Sequence, residues 1–574
     1  MKKKWKIKPK IQGDIKDVQL HPVLVQILLQ RGITNKEKAE NFFSPNYDEL
    51  HDPFLFADME KVVDRVKKAI KNQEIIGIFG DHDADGVSSA TVLADGLEKL
   101  GLNVDVYIPD KLTEGHGINK KAINEFQSVG VTLMFSVDCG TSNVEAVDYA
   151  NKRGMDVIIT DHHHAPEILP KAYAIINPQL TGCKYPFKEL SGTAVAFKVV
   201  QALFVRIAPE KSEQVKWLLD VVCVGTIADC MPLVDENRVL VKYGLLVLSK
   251  TQRIGYQEMN SVSNMGFSPM KIPPASLVAY QMGPRINAAG RMKHAKHAFE
   301  LLRATTREEA NKKAQMLEEQ NLKRREITDK LTKEVEKIVE NEHLDKSFIL
   351  ISGENYPLGI VGIIAGQIAQ KYGKPTGIFT KLDDESRGSF RSVEGLHIVG
   401  ILDECSEYLE KYGGHEQAAG AVIKNENFEV FCDRGNACVA KQLGDKEVQP
   451  SIEIDCKIKL KDVSHELVNQ LKKLEPCGEG NAEPIFAFEN LIIKDIREIG
   501  SEGKHLKMKL TDKQGSTSYD SVAFGWGYLA GELSVGDMIS VATHIQENEW
   551  MGKVSIQFNL LDIQKNHHKI IFLS

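Results

Sequence analysis

No Cys-x-x-Cys pair occurs among the nine scattered cysteines of this 574-residue chain, and their number is odd. That excludes a zinc ribbon and a disulfide framework and fits a reducing, cytoplasmic setting. Long apolar runs are missing too: the longest, near Leu358 to Ala369, is broken by glycines and too short to span a bilayer. The basic start MKKKWKIKPK has no apolar stretch behind it, so neither a signal peptide nor a membrane partner is expected. Nor is positive charge in excess. Net charge is −7, so any nucleic-acid binding must use a local basic groove in an acidic molecule. With 42% hydrophobic and 26% charged residues, the composition is that of a folded protein without large disordered regions. The length implies about three or four domains.

What is present centres on Ile75 to Gly86, IIGIFGDHDADG. An apolar run of strand type ends in three alternating carboxylates, Asp81, Asp83 and Asp85, and a glycine. The carboxyl end of a strand in an open parallel sheet is where ligands bind, and crowded acids repel one another unless a cation neutralises them. The plainer reading is an acidic turn with a helix N-cap at one aspartate.

From 75 to about 165, strand and helix alternate in the rhythm of βαβ units and a parallel sheet. Three strands end in ligand-type residues, GDHDADG, SVDCG and ITDHHH. Parallel strands put those ends on one edge, so Asp81, Asp83, Asp85, Asp138, Asp161, His162 and His163 can converge. Many hard oxygens with imidazole and no thiolate pair suit Mn²⁺ or Mg²⁺. The number of acids suggests two ions sharing a carboxylate, the arrangement that serves in-line phosphoryl displacement. Further on, SGTAVAFKVVQALFVRIA reads as a helix entered through Ser191 and Gly192, and VKWLLDVVCVGTIADCMPL as another. The second carries Asp229 just before a proline stop, either as an ordinary helix-end acid or as a ligand.

GDHDADG, VDCG, DHHH and TIADCMPL resemble, in order and spacing, the four motifs of the DHH phosphoesterases. Within that superfamily, HPVLVQILLQRGITNKEKAENFFSP, LHDPFLFADM and QMGPRINAAGRM resemble the RecJ family of exonucleases specific for single-stranded DNA. The resemblance implies that Asp81, Asp83, Asp85, Asp138, His162 and Asp229 hold two Mn²⁺ or Mg²⁺ ions, with Asp138 bridging. It places His163 beside them, on a metal or on the scissile phosphate. His82 stands where relatives more often have an aromatic residue, and it is expected beside the site; His164 is an extra histidine.

GPRINAAGR reads as a small-residue loop, either a turn with solvated arginines or a loop whose Arg285 and Arg291 meet phosphate with help from Asn287. The resemblance favours phosphate. Residues 306–342 read as one long charged helix with i,i+4 pairs and no core-wide apolar face. Such a helix bridges domains, and Lys323, Arg324 and Arg325 read as a solvated face.

A second α/β unit follows, with strands SFILISG and PTGIFT, the polar strand or turn RGSFRS, and the glycine-rich loop KYGGHEQAAG. LGIVGIIAGQIA, GSFRS and GGHEQAAG resemble the DHH-associated domain that closes over the active site. On that likeness His415, presented by Gly413 and Gly414, contacts the scissile phosphate. Ser389 and Arg391 hold the DNA end or backbone, with Arg387 nearby.

After QLGDKEVQPS, about five short alternating strands and one helix, HELVNQLKKL, suggest an OB-type barrel, a reader of single strands. LEPCGEGNAEPIF resembles the family's linker, with Cys477 where an aromatic is usual. Phe524, Trp526 and Trp550 are candidate stacking residues, set against the ordinary role of barrel aromatics as core; Lys504, His505 and Lys507 are candidates for the groove. Trp5 is expected to be a packing anchor.

The expected architecture is α/β: a helical N-terminal segment (1–70), a parallel-sheet DHH catalytic domain (71–300), a long connecting helix (301–344), a smaller α/β DHH-associated domain (345–445) and an OB-like barrel (446–574). No additional C-terminal domain is expected. The family likeness implies a monomeric 5′-to-3′ exonuclease of DNA repair and recombination that releases mononucleotides through a channel excluding duplex. Its implied partners are single-stranded DNA, single-strand-binding protein and a helicase. Two alternatives stay open: a DHH phosphodiesterase of short oligonucleotides or cyclic dinucleotides, and a non-catalytic replication scaffold.

Overall fold

Near-continuous apolar strands form a sheet buried on both faces. In the computed structural model, which describes residues 3–444, 450–550 and 552–569, this is a five-stranded parallel sheet. Its order is Asn103–Tyr107, Ile75–Gly80, Leu133–Val137, Asp156–Thr160, Ala174–Ile176. The helices Ala84–Lys99, Gly192–Ile207 and Leu219–Ala228 cover one face through Leu93, Val195 and Val222. Lys120–Ser128 and Val144–Asn151 cover the other through Phe126 and Val147. Register decides the chemistry. Gly80 pairs with Val137 and Val137 with Thr160, so the next residues along, Asp81, Asp138 and Asp161, share one edge.

Arg307–Ile338 is one helix that continues as a wider turn through Val339–His343. The reading of a helix without a core-wide apolar face overlooks a narrower stripe that is buried. Ala310, Ala314, Leu317, Gln320, Asn321, Thr328, Leu331 and Val335 form a buried stripe at helical spacing. Much of the stripe is small or polar, which hides it from hydropathy. Leu317 sits in the catalytic-domain core, whereas Leu331 and Val335 sit in the next, so the helix is a strut anchored at both ends.

The second unit is a mixed five-stranded sheet ordered Leu409–Gly414, Ala418–Lys424, Glu385–Arg391, Thr376–Lys381, Ile349–Gly353. Leu358–Tyr372 packs on one face, Ile398–Glu404 and Phe428–Leu443 on the other. The segment read as a glycine-rich loop is a β-hairpin, its tip closed by His415 N–H on the Ala418 carbonyl at 2.8 Å. The division placed between 445 and 446 falls outside the described residues.

The C-terminal strands Phe486–Ile499, His505–Thr511, Ser518–Ala523, Lys553–Lys569 and Asp537–Trp550 close into a barrel, because the first also pairs with the last of these. The N-terminal segment is not wholly helical. Lys4–Ile7 is a strand parallel to Ser451–Ile454, and Trp5 donates its Nε1–H to Asp562 at 2.6 Å. Leu24, Ile27 and Leu28 of the Pro22–Gln30 helix enter the barrel's own core beside Leu467 and Phe488. Met59–Asn72 leads directly to the Ile75–Gly80 strand of the parallel sheet.

Arg238 fixes the barrel against the catalytic domain. It is buried, stacks on Phe42 at 3.7 Å, and donates to the carbonyls of Phe42 (2.9 Å), Leu474 (3.1 Å) and Glu475 (2.9 Å). A guanidinium satisfied by carbonyls alone feels its burial, which lowers its pKa to about 10. No helix among the described residues is long and apolar enough to cross a membrane.

Candidate active site

The acidic loop is held from below by helix ends. Asp83 N-caps Ala84–Lys99, its Oδ1 accepting from the N–H groups of Asp85 and Gly86 at 3.0 Å each. The turn reading and the ligand reading thus describe the same residue, because one carboxylate oxygen suffices for the cap. Asp85 is clamped by the start of Gly192–Ile207: Oδ2 accepts from Gly192 N–H at 2.6 Å and Oδ1 from Thr193 N–H at 3.0 Å. Asp138 follows its strand at φ +60°, a left-handed conformation uncommon outside glycine. A Cβ on Gly192 would lie 2.5 Å from Asp138 Oδ1, so glycine there makes the space for this carboxylate.

Asp138 Oδ1 and His162 Nε2 face each other at 3.1 Å, both buried and neither with a hydrogen-bond partner. The same His162 nitrogen lies 3.5 Å from Asp229 Oδ2 and 3.8 Å from Asp85 Oδ2. Asp229 caps the end of Leu219–Ala228. Two candidate ligand groups lie side by side here, Asp81 with Asp83 and Asp138, and Asp85 with His162 and Asp229; within each, one donor atom per residue lies within 4.8 Å of the others. Asp138 also lies with His162, so it stands between the two groups.

Electrostatics point the same way. Burial, then Asp85 and the other neighbouring acids, push Asp138 far above the ordinary carboxylate range. Burial and Asp85 raise Asp229 to about 9, and burial raises Asp85. Burial lowers His162, which keeps it neutral and able to donate its lone pair. Buried donors without partners, repelling acids and a neutral imidazole fit divalent cations of the Mn²⁺ and Mg²⁺ type.

Asp161 is a scaffold. It accepts from Thr141 N–H at 3.0 Å, His162 N–H at 2.8 Å and the His163 ring at 2.8 Å. The Asp161 bond raises His163 to about 9, making it a cation suited to phosphate.

GPRINAAGR is a helix, Gly283–Met292, entered through a wider turn at Val278–Met282; the loop reading is corrected. Apolar Ile286, Ala288 and Ala289 bury one side of it, a face that short side chains conceal in sequence. Asn287 Oδ1 accepts from Ala84 N–H at 2.8 Å and so pins the acidic loop. Arg285 is paired with Glu318 of the long helix and donates to the Gln281 carbonyl at 2.7 Å. Arg291 donates to the Gly359 carbonyl at 3.0 Å, tying the two α/β units together, and lies in the field of Asp83 and Arg391.

Arg387, Ser389 and Arg391 alternate along one strand and therefore share a face. Ser389 and Arg391 flank Gly362, whose Cβ would be 3.4 Å from both side chains; Arg387 is paired with Glu385 at 2.7 Å. Gly413 and Gly414 carry His415 across the cleft until its ring lies 6.1 Å from that of His164.

Three site residues were not foreseen. Lys111 and His116 follow a fourth strand end, Asn103–Tyr107; the glycines around His116 in EGHG were the available signal. Lys111 is half-buried and feels Arg291, Asp83, Asp81 and Arg391. Arg324 is half-buried beside Arg291 rather than on a solvated face. On the barrel, Phe524 is 62% exposed and edge-on to His505 at 5.3 Å. Trp526 packs against the barrel core, Lys504 is exposed, and Lys507 pairs with Asp520 at 3.1 Å. The Trp550 side chain lies outside the described residues.

Family comparisons agree with this layout. The DHH family, N-terminal domain, matches residues 75–226, the DHHA1 domain matches 345–441 and the RecJ OB domain matches 454–562. The single-stranded-DNA-specific exonuclease RecJ of Bacillus subtilis is 35% identical over 568 residues, covering 98% of this chain and 71% of that protein. Its Haemophilus influenzae counterpart is 32% identical over 559 residues, 94% of this chain and 96% of that one. Among solved structures, RecJ from Thermus thermophilus in complex with Mn²⁺ superposes with a TM-score of 0.83 at 25% identity, covering 99% of this chain and 80% of that chain. An exonuclease RecJ bound to manganese gives 0.59 at 28% identity over 69% of this chain and 96% of that chain. Identity of 32% or more over at least 94% of its length makes this chain a member of the RecJ family.

Proposed function

We propose that this protein is a metal-dependent exonuclease of single-stranded DNA that works from the 5′ end and releases mononucleotides. The observation that carries the reading is the unpartnered pair Asp138 Oδ1 and His162 Nε2 at the centre of an acid-lined cleft. Asp81, Asp83 and Asp138 would hold one ion; Asp138, His162, Asp229 and Asp85 the other. Their metal is Mn²⁺ or Mg²⁺, as in the Thermus thermophilus RecJ complexes. When bound, such a pair supplies an activated water and charge stabilisation for both oxygens of an in-line displacement.

The remaining work falls to the chain's own groups. Asp161 keeps His163 protonated and aimed into the cleft, where it offers a proton to a phosphate oxygen. His415 reaches the same space from the hairpin tip. Lys111, Arg291 and Arg391 gather beyond Asp83, and a 5′-terminal phosphate suits them, with Ser389 beside it. The barrel, rigidly docked through Arg238, extends the surface far beyond what a dinucleotide needs. Repair and recombination as the setting, single-strand-binding protein and a helicase as partners, a monomeric state and a cytoplasmic location belong to the same proposal, supported by family membership.

The test is digestion of single-stranded DNA labelled at either end, beside a matched blunt duplex, with Mn²⁺ or chelator. Metal-dependent mononucleotides from the 5′ end of the single strand are expected. Turnover of dinucleotides but not long DNA would move the protein to small substrates, and tight binding without turnover would make it a scaffold.

A further inference from the structure

Two imidazoles that the two-ion centre does not use lie at the acidic loop, one on it and one on a neighbouring turn. His82 is buried, and its Nδ1 lies 2.6 Å from Asp81 Oδ1. His116 sits on a turn between Gly115 and Gly117, both at positive φ, with its Nδ1 4.0 Å from Asp81 Oδ2. The two rings meet edge to face with centroids 4.7 Å apart. One donor atom from each of Asp81, His82 and His116 lies within 4.8 Å of the other two.

Two imidazoles and one carboxylate make a donor set unlike its neighbours. The flanking groups are rich in hard oxygen and suit Mn²⁺ or Mg²⁺. A His₂-carboxylate set with an open fourth position suits Zn²⁺, which also binds such nitrogen donors more tightly than Mn²⁺ does. We propose that Asp81, His82 and His116 form a separate zinc site, completed by water, and that zinc held there switches the enzyme off. The switching half rests on the proposed function; the binding half does not.

Little has to move. Donors on one tetrahedral zinc stand about 3.3 Å apart. The His82 ring therefore retreats by under about 1 Å from its present 2.6 Å and presents the Nδ1 lone pair of the tautomer that carries its proton on Nε2. His116 closes by a similar step from 4.0 Å, which its exposed side chain and flanking glycines permit. The cost to the catalytic centre follows from the shared ligand. A carboxylate that gives one oxygen to zinc keeps the other for the group it forms with Asp83 and Asp138, so the manganese stays, but Asp81 is held off the orientation catalysis needs.

The test loads the whole chain with Mn²⁺, dialyses it against Zn²⁺ and counts both bound metals by atomic absorption, for wild type, His116→Ala and His82→Phe. Wild type is expected to keep its manganese and gain one zinc. Either variant should bind zinc at least about tenfold more weakly. Zinc should inhibit digestion of single-stranded DNA in wild type, with the inhibitory concentration rising in step in the variants. Zinc that replaces manganese one for one, or that binds the variants as tightly as wild type, overturns the site. Zinc retained without inhibition overturns the switch. His116→Ala carries the test if His82→Phe fails to fold, because His116 is on an exposed turn. Digestion with Mn²⁺ and no zinc is run on the same preparations; failure there counts against the exonuclease reading and leaves the zinc count standing.

Discussion

The two walls of the cleft are built on opposite principles. On the catalytic-domain wall, Asp85, Asp138 and Asp161 are nearly fully buried, fixed by helix ends and backbone N–H groups, and surrounded by like charge. On the facing wall, Gly413, Gly414 and His415 lie exposed on a hairpin tip, and no atom would obstruct a Cβ on Gly413. The first wall is preorganised and crowded with like charge that divalent cations would neutralise. The second is relaxed and acquires its partners from substrate. Changes to the first should therefore act on chemistry and on stability together, and changes to the second on catalysis or binding alone.

Asp138→Ala should have the largest effect. It removes the carboxylate that stands between the two candidate ligand groups, and turnover should fall by at least about four orders of magnitude. Binding of single-stranded DNA in chelator should persist, and the metal-free variant should melt higher at neutral pH than metal-free wild type because it lacks a buried acid that folds only at the cost of taking up a proton. Substantial turnover in the variant, measured with labelled DNA, would end the shared-carboxylate assignment.

Gly192→Ala comes next, paired with Gly413→Ala. The added methyl at 192 would meet Asp138 Oδ1 at 2.5 Å and its Cβ at 2.7 Å, so the carboxylate must shift. A displacement on that scale costs about 10²-fold in kcat. At 413 the methyl meets nothing, and kcat should be unchanged. Equal losses at the two sites would erase the contrast between the walls. His415→Ala follows, with kcat lower by about 10²-fold, the usual worth of one positioned donor, and an unaltered Tm.

Metal removal separates the walls by pH. Burial and neighbouring acids hold Asp229 near 9, with Asp85 and Asp138 also raised, whereas the unfolded carboxylates titrate near about 4. The folded chain keeps protons that the unfolded chain releases. In chelator, stability is therefore greatest below about pH 4 for these groups and declines as pH rises toward 9. Mn²⁺ takes the protons' place, so the metal-induced rise in Tm should grow over the same range. A rise independent of pH would place the metal elsewhere.

Much of this was legible in the sequence, and the reason is register. Strands that pair in parallel put Asp81, Asp138 and Asp161 on one edge. What escaped was everything decided by packing between units. Arg285 reads as a phosphate ligand until Glu318, 33 residues on, is seen to take its charge. The face of the long helix was missed because it buries Ala310, Ala314, Gln320 and Asn321. The helices of residues 22–43 belong to the barrel because they complete its core, a fact about surfaces hundreds of residues apart. Lys111 and His116 were missed because their strand ends in Tyr107 and the nearest following acid, Asp110, comes only after a proline.

The smallest effect belongs to Arg387. It shares a strand face with Ser389 and Arg391 but is exposed and already paired with Glu385 at 2.7 Å. An exposed pair contributes about 0–1 kcal/mol to stability, so Arg387→Ala should leave Tm unchanged. Its worth to substrate is that of one peripheral phosphate contact. Removing it should raise Kd for single-stranded DNA by several-fold, leave kcat alone and reduce the salt dependence of binding by about one counterion. Arg391 differs: it is half-buried, beside Gly362 and Ser389, and in the field of Arg291. If Arg387→Ala matched Arg391→Ala in its loss of kcat, the strand would present its whole face to the scissile phosphate, and the division into a rigid wall and a receptive one would need a third term.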